Sequence, residues 1–229
     1  MESVYGLFVI AAVYGLATYI KHVRDSRRRA AVSAFAQSQG WAFALAEPQL
    51  ADRWRGAPFG EGYEREANCV VTGERNGRGF TAFDYTYVTR GSGKTGRLIR
   101  RRHHFGIVAM TLPGALPWLT VEPQNRFIAA LGGADFDLES ERFNHNFRVR
   151  ADDERFGYAV LHPQLMELLL QRSEVDLAWR IHDYTLLGWS HGRRDPGELI
   201  PRLDLLAAIV EQVPPFVWRD YANVDPRQR

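Results

Sequence analysis

Apolar and polar positions follow two different periods along this chain, and one stretch near its start carries no charge. Ser3 to Ile20 is uncharged, and Lys21 to Arg29 follows with five bases. A helix of about 18 residues spans roughly 27 Å, close to the hydrocarbon thickness of a bilayer. Tyr5 and Tyr19 stand near the two ends, where aromatic rings favour the headgroup level. The pattern predicts an N-terminal transmembrane anchor with a basic flank over residues 1–24, uncleaved and single-pass. A cleaved signal peptide would need its bases before the apolar run, and here they follow it. The bases behind the run orient the following domain toward the cytoplasm. Ala11 and Gly15 form a small-residue pair that would let two such helices approach as a homodimer.

Beyond the anchor the period changes. Ser26 to Gln39 continues as a helix with Val32, Phe35 and Ala36 on one face, and Gly40 is its expected stop. Trp41 to Ala46 reads as a strand, and Pro48 to Gly62 as loop. Tyr63 to Glu74 and Phe80 to Val88 alternate at period two around Asn76-Gly77, the preferred two-residue hairpin turn. Arg97 to Leu112 reads as a long strand that Pro113 and Pro117 end, with Trp118 to Val121 a separate one. Phe127 to Leu131 is a short apolar piece within loop signals. Phe143 to Arg150 alternates as a strand. Helices are expected over Asp152 to Leu161 and from Pro163, where Leu165, Met166 and Leu168–Leu170 supply an apolar face. A second hairpin is expected to turn at His182-Asp183. The last helix has Asp195 as N-cap, Pro196 at its first position and Glu198 in capping-box spacing, and Pro214-Pro215 ends it. Strands in hairpins followed by a cluster of helices give an α+β class: a mostly antiparallel β-sheet domain over 25–220 with a few packed helices, and a disordered tail over 221–229.

Charge sharpens the picture. The net charge is +2, and residues 1–29 hold five bases and two acids, so residues 30–229 carry −1. A near-neutral domain argues against general nucleic-acid binding. Cys69 is the single cysteine, which excludes an internal disulfide and a cysteine-based zinc site. The Arg-, Ala- and Gly-rich composition points to a bacterial source.

Several motifs resemble chemistry. Gly93-Lys94-Thr95 matches the end of a phosphate-binding loop, but Val88 stands where its first glycine belongs. Gly188 to Gly192 matches the G-x-S-x-G nucleophile elbow, but no histidine follows His191 to complete the order Ser, acid, His. His103 and His104 are strand neighbours and face opposite ways, so they cannot chelate one metal together. His145, His162, His182 and His191 are scattered, and Asp152, Asp153 and Glu154 suit a helix start better than acid–base work. No catalytic, cofactor-binding or metal-ligating residue is therefore assigned. The candidate contacts are with a membrane surface: Lys21, Arg24, Arg27, Arg28 and Arg29 behind the anchor, and Arg97, Arg100, Arg101 and Arg102 on the long strand. Each base near anionic headgroups contributes about 1 kcal/mol.

Residues 138–170 carry a resemblance. Leu138, Glu139, Phe143, Phe147 and Val149, then Asp152 or Asp153, then Ala159 to Pro163 and Met166 to Leu169 resemble the pattern of a group of uncharacterised bacterial membrane-anchored proteins. The resemblance implies one or two membrane helices before the domain, and it carries over no enzymatic activity and no catalytic residues. The function expected from the sequence is a non-enzymatic binding or assembly domain on the cytoplasmic face of a bacterial plasma membrane, with the bilayer and another membrane protein as partners. Two competing readings are an anionic-lipid sensor using Arg97 to Arg102, and an enzyme whose site is assembled from distant residues.

Overall fold

A computed structural model describes residues 2–92, 98–124, 138, 140–172, 175–193 and 195–222, with side chains in the first helix from Tyr14 onward except at positions 17 and 21. Six antiparallel strands form one sheet: β1 (Ala42–Ala46), β2 (Tyr63–Arg75), β3 (Arg78–Ser92), β4 (Leu98–Pro123), β5 (Phe147–Ala151) and β6 (Ala178–His191). The helices are α1 (Glu2–Ser38), α2 (Glu141–Asn146), α3 (Glu154–Val160), α4 (Pro163–Gln171), α5 (Leu199–Gln212) and α6 (Pro215–Tyr221). The antiparallel α+β architecture agrees with the strand pattern of the sequence.

The expected transmembrane helix over 1–24 is overturned, and with it the single-pass signal-anchor. Among the described residues no helix is long and apolar enough to cross a membrane. The uncharged run is not a separate element. It is the first half of a continuous 37-residue helix. That helix carries on through the charged stretch and ends on the sheet, where Val32 and Ala36 are buried at 2% and 0% exposure.

β4 organises the sheet. One of its edges pairs with β3 through Leu98–Met110 and then with β5 through Leu119–Pro123, while β6 runs along the other edge. The expected break at Pro113 and Pro117 does not occur, because β4 is one strand of 26 residues. Both prolines fall where the β4–β6 register shifts, between Thr111 and Leu116 and between Leu116 and Leu119, so neither removes a needed ladder donor. The expected hairpin at His182-Asp183 is likewise one strand, in which Asp183 takes a positive φ of 50° opposite that shift. The β2–β3 hairpin turns at Asn76-Gly77 as the sequence predicts, with φ of 53° and 70°. Phe143, expected in a strand, lies in α2 instead. Ser140 caps that helix by accepting from the Phe143 backbone N–H.

Two cores lie on the two faces of the sheet. On one face α1 and α3–α6 pack over Ala82, Val108, Leu186 and their neighbours. On the other, the 3-10 turn Pro48–Asp52 and the loop after it bring Leu50, Trp54 and Phe59 over Phe83, Tyr85, Phe105, Ile107 and Trp189. Residues 125–137 contain the expected Phe127 to Leu131 piece, and they lie outside the described residues, as do 223–229 of the expected tail. Tyr221, placed in that tail by the sequence, ends α6 and packs on Phe156 at 5.3 Å between ring centroids.

Candidate functional site

Period two puts every second residue of a strand on the same face. On the helix-covered face, Ala82, Val108 and Leu186 continue the apolar core. One step further along, Asn68, Asp84, Gly106 and Ser190 are register partners across β2, β3, β4 and β6. The apolar floor therefore becomes polar at this end. Asp84, Thr86 and Ser190 are buried there, at 6%, 6% and 3% exposure. Arg28 of α1 closes on Asp84 with contacts of 2.9–3.1 Å.

A cavity of about 650 Å³ opens beside this floor. Its walls are the end of α4 at Arg172, the Val175-Asp176 segment, the end of β6 at Ser190 and His191, Arg193, and the first turn of α5. Asp195 holds the 3-10 turn Pro196–Glu198 that leads into α5 by accepting from the Gly197 N–H at 2.9 Å. That turn places Glu198 one helical turn before Arg202, and the two form an ion pair. Arg193 pairs with Asp25 of α1.

Arg202 is the unusual member. It is 7% exposed, and its Nη1 finds no hydrogen-bond partner among the described residues. Burial lowers its pKa, with Glu198 acting the other way. A buried charged donor without a partner is costly, so a ligand oxygen at this point would be favoured. A lone arginine on the apolar side of α5, next to Leu199, Leu203 and Leu206, was the sequence signal for it.

A second buried polar group sits on the opposite face, at the far end of the sheet. Arg180 stacks between Trp118 and Trp189, with its guanidinium carbon 4.2 and 4.8 Å from the ring centroids. It donates to Thr120 Oγ1 at 3.0 Å and to the carbonyls of Arg55, Gly56 and Ala57 at 2.9, 3.3 and 2.9 Å. Burial pulls its pKa down to about 10, Glu122 opposes that and Arg150 adds to it. These bonds staple the Arg55–Ala57 loop to the sheet, and a smaller cavity of about 260 Å³ lies beside them. Because its contacts are satisfied by the protein, Arg180 reads as architecture.

The described bases singled out in the sequence divide into exposed and paired ones. Arg97 and the Lys21 side chain lie outside the described residues. Arg24, Arg27, Arg29 and Arg101 are exposed. Arg28 turns inward to Asp84. Arg100 pairs with Glu64 at 2.7 Å, and Arg102 lies 3.7 Å from Glu64 and 3.5 Å from Glu66, so β2 offsets part of the positive run. Gly93, Lys94 and Thr95 lie outside the described residues. Ser190 of the G-x-S-x-G match is buried within a strand, while His191 packs its ring on Phe105 of the other face at 4.7 Å. Adjacent strand residues point apart, so His191 does not serve Ser190 as a base. Among the described residues no group of three or more His, Cys, Asp or Glu is placed to hold a metal ion.

Fold and cleft together define an antiparallel α+β domain with an arginine-walled cavity beneath its helices. No family model matches the chain, and no curated protein matches it. Among solved structures the chain is similar to the crystal structure of the mycobacterial trehalose monomycolate transport factor A. The TM-score is 0.61 at 12% identity, over 87% of this chain and 97% of that one. At that identity the likeness shows the fold.

Proposed function

We propose that this chain is a non-catalytic binding domain whose cleft receives an anionic group of its ligand. The observation that carries the reading is Arg202: a guanidinium buried to 7% exposure, its Nη1 without a hydrogen-bond partner among the described residues, in the wall of a cavity also lined by Arg172 and Arg193. The cavity volume of about 650 Å³ falls within the usual range for small-molecule sites, about 300–1,000 Å³. Arginine forks suit carboxylate and phosphate oxygens. A holding or handing-over role agrees with the transport role in the name of the solved neighbour, while its cargo does not transfer at 12% identity.

A thermal-shift titration with sodium octanoate, dibutyl phosphate and inorganic phosphate tests the reading. A ligand that binds the native state raises the melting temperature with concentration. At least one of these oxyanions should do so for the wild type, and Arg202→Gln should need about 10-fold or more of it for the same shift. No shift with any of the three sinks the proposal.

A further inference from the structure

Among the described residues, the charges around the cleft nearly balance before any ligand enters. Arg172, Arg193 and Arg202 face Asp176 and Glu198 in its lining. Asp25 of α1 adds a third carboxylate through its pair with Arg193. A multiply charged anion would make this set strongly negative. A single negative charge fits better, because among the described residues one buried donor of the cleft, Arg202 Nη1, is left to receive it.

The Asp25–Arg193 pair is the weaker partner in any exchange. The Arg193 side chain is 38% exposed and that of Asp25 is 23% exposed, so solvent screens their attraction. A ligand oxyanion held by buried Arg202 can therefore replace Asp25 on Arg193. Resting on the reading of this cleft as a binding site, we infer that its ligand carries a monoanionic oxyanion, a carboxylate or a phosphodiester, held jointly by Arg202 and Arg193 in exchange for Asp25. The same exchange couples the cleft to α1. Binding releases the Asp25–Arg193 tie of that helix and leaves Arg28–Asp84 in place. By linkage, whatever loosens Asp25 tightens the ligand by the same factor.

The test is calorimetric titration of the full chain at low salt. Sodium octanoate and dibutyl phosphate are the two monoanion probes, and which one binds distinguishes a carboxylate ligand from a phosphodiester. Inorganic phosphate is the multiply charged control. Asp25→Asn should bind the preferred monoanion roughly 2- to 5-fold tighter than wild type, the range of an exposed ion pair. In an Arg193→Gln background the Asp25→Asn change should have no effect. Arg202→Gln should weaken binding about 10-fold, and the exposed rim variant Arg172→Gln, which leaves the core intact, should weaken it about 2-fold. Equal affinity in wild type and Asp25→Asn overturns the exchange while the cleft remains the site. Tighter binding of inorganic phosphate than of either monoanion overturns the ligand class. Monoanion binding that neither Arg202→Gln nor Arg172→Gln weakens removes the cleft as the site, and the reading it rests on goes with it.

Discussion

Arg180 and Arg202 are both buried guanidiniums, and the difference between them separates architecture from function. Arg180 has two indole faces, a hydroxyl and three carbonyls around it. Among the described residues Arg202 has Glu198 and a donor to spare. His182 stands next to the Arg180 site, with Trp118 edge-on at 5.1 Å. Burial lowers its pKa below the ordinary 6.5, Asp183 and Asp152 oppose that, and Arg180 and Arg55 reinforce it. The sign follows from linkage. As pH falls through 6.5 the unfolded chain takes up the proton first, so the folded state loses stability until the native imidazole also titrates. The contribution is fully present above 6.5 and lost as pH falls through the lower native value. His182→Asn should therefore flatten the fall in urea-denaturation stability between about pH 7.5 and about pH 5. An unchanged pH slope would show that His182 titrates alike in both states.

At the scale of elements, β4 shows how a partner overrides a local signal. Pro113 and Pro117 read as strand breakers, yet the strand continues because both sit in the register shift against β6. Pro117→Ala should change stability by less than about 1 kcal/mol, since no ladder bond is at stake. Ala109→Pro should unfold the domain or cost about 3 kcal/mol or more, because Ala109 pairs with Thr81 on one side and Leu187 on the other. Circular dichroism and urea denaturation of the two variants check the contrast, and equal effects would refute it. The same override explains two other differences. His182-Asp183 looks like a hairpin turn because aspartate tolerates positive φ, and a bulge within one strand uses the same property. Phe143 to Arg150 alternates, but Ser140 caps a helical turn first and the Asn144 side chain binds both the N–H and the carbonyl of Leu138. The helix start at Asp152 to Glu154 and the cap at Asp195 were legible in outline, because the bonds are local. Asp153, inside the expected helix, caps α3 by accepting from Phe156 N–H. Asp195, expected to cap the last helix, accepts from Gly197 N–H and caps the 3-10 turn before α5.

At the scale of the molecule, α1 is bound to the domain by its second half. Val32 and Ala36 enter the core, Arg28 clasps Asp84, and Asp25 reaches Arg193. The Asp84 side chain is 9% exposed, so removing it takes a carboxylate from a partly buried arginine. Asp84→Ala should cost about 2 kcal/mol, less than a fully buried pair because the Arg28 side chain keeps 21% of its exposure. A shift of the urea midpoint with an unchanged slope checks this, and an unmoved midpoint would show that the clasp adds nothing.

Periodicity and caps are properties of neighbouring residues, so the sequence by itself determined the α+β class, the β2–β3 hairpin, the starts of α3 and α4, and the apolar face of α5. What lies across a strand or under a helix is not written in neighbouring residues. Only the tertiary structure decided that the charged half of α1 packs on the sheet as a clasp, that β4 runs through two prolines, and that Arg172, Arg193 and Arg202 meet around one cavity. Those three arginines come from separate elements, and the register of β6 on β4 brings Ser190 and the chain after it to the polar end of the sheet. The same physics paired three bases of the basic runs, Arg28, Arg100 and Arg102, because Asp84, Glu64 and Glu66 reach them only once the strands are aligned.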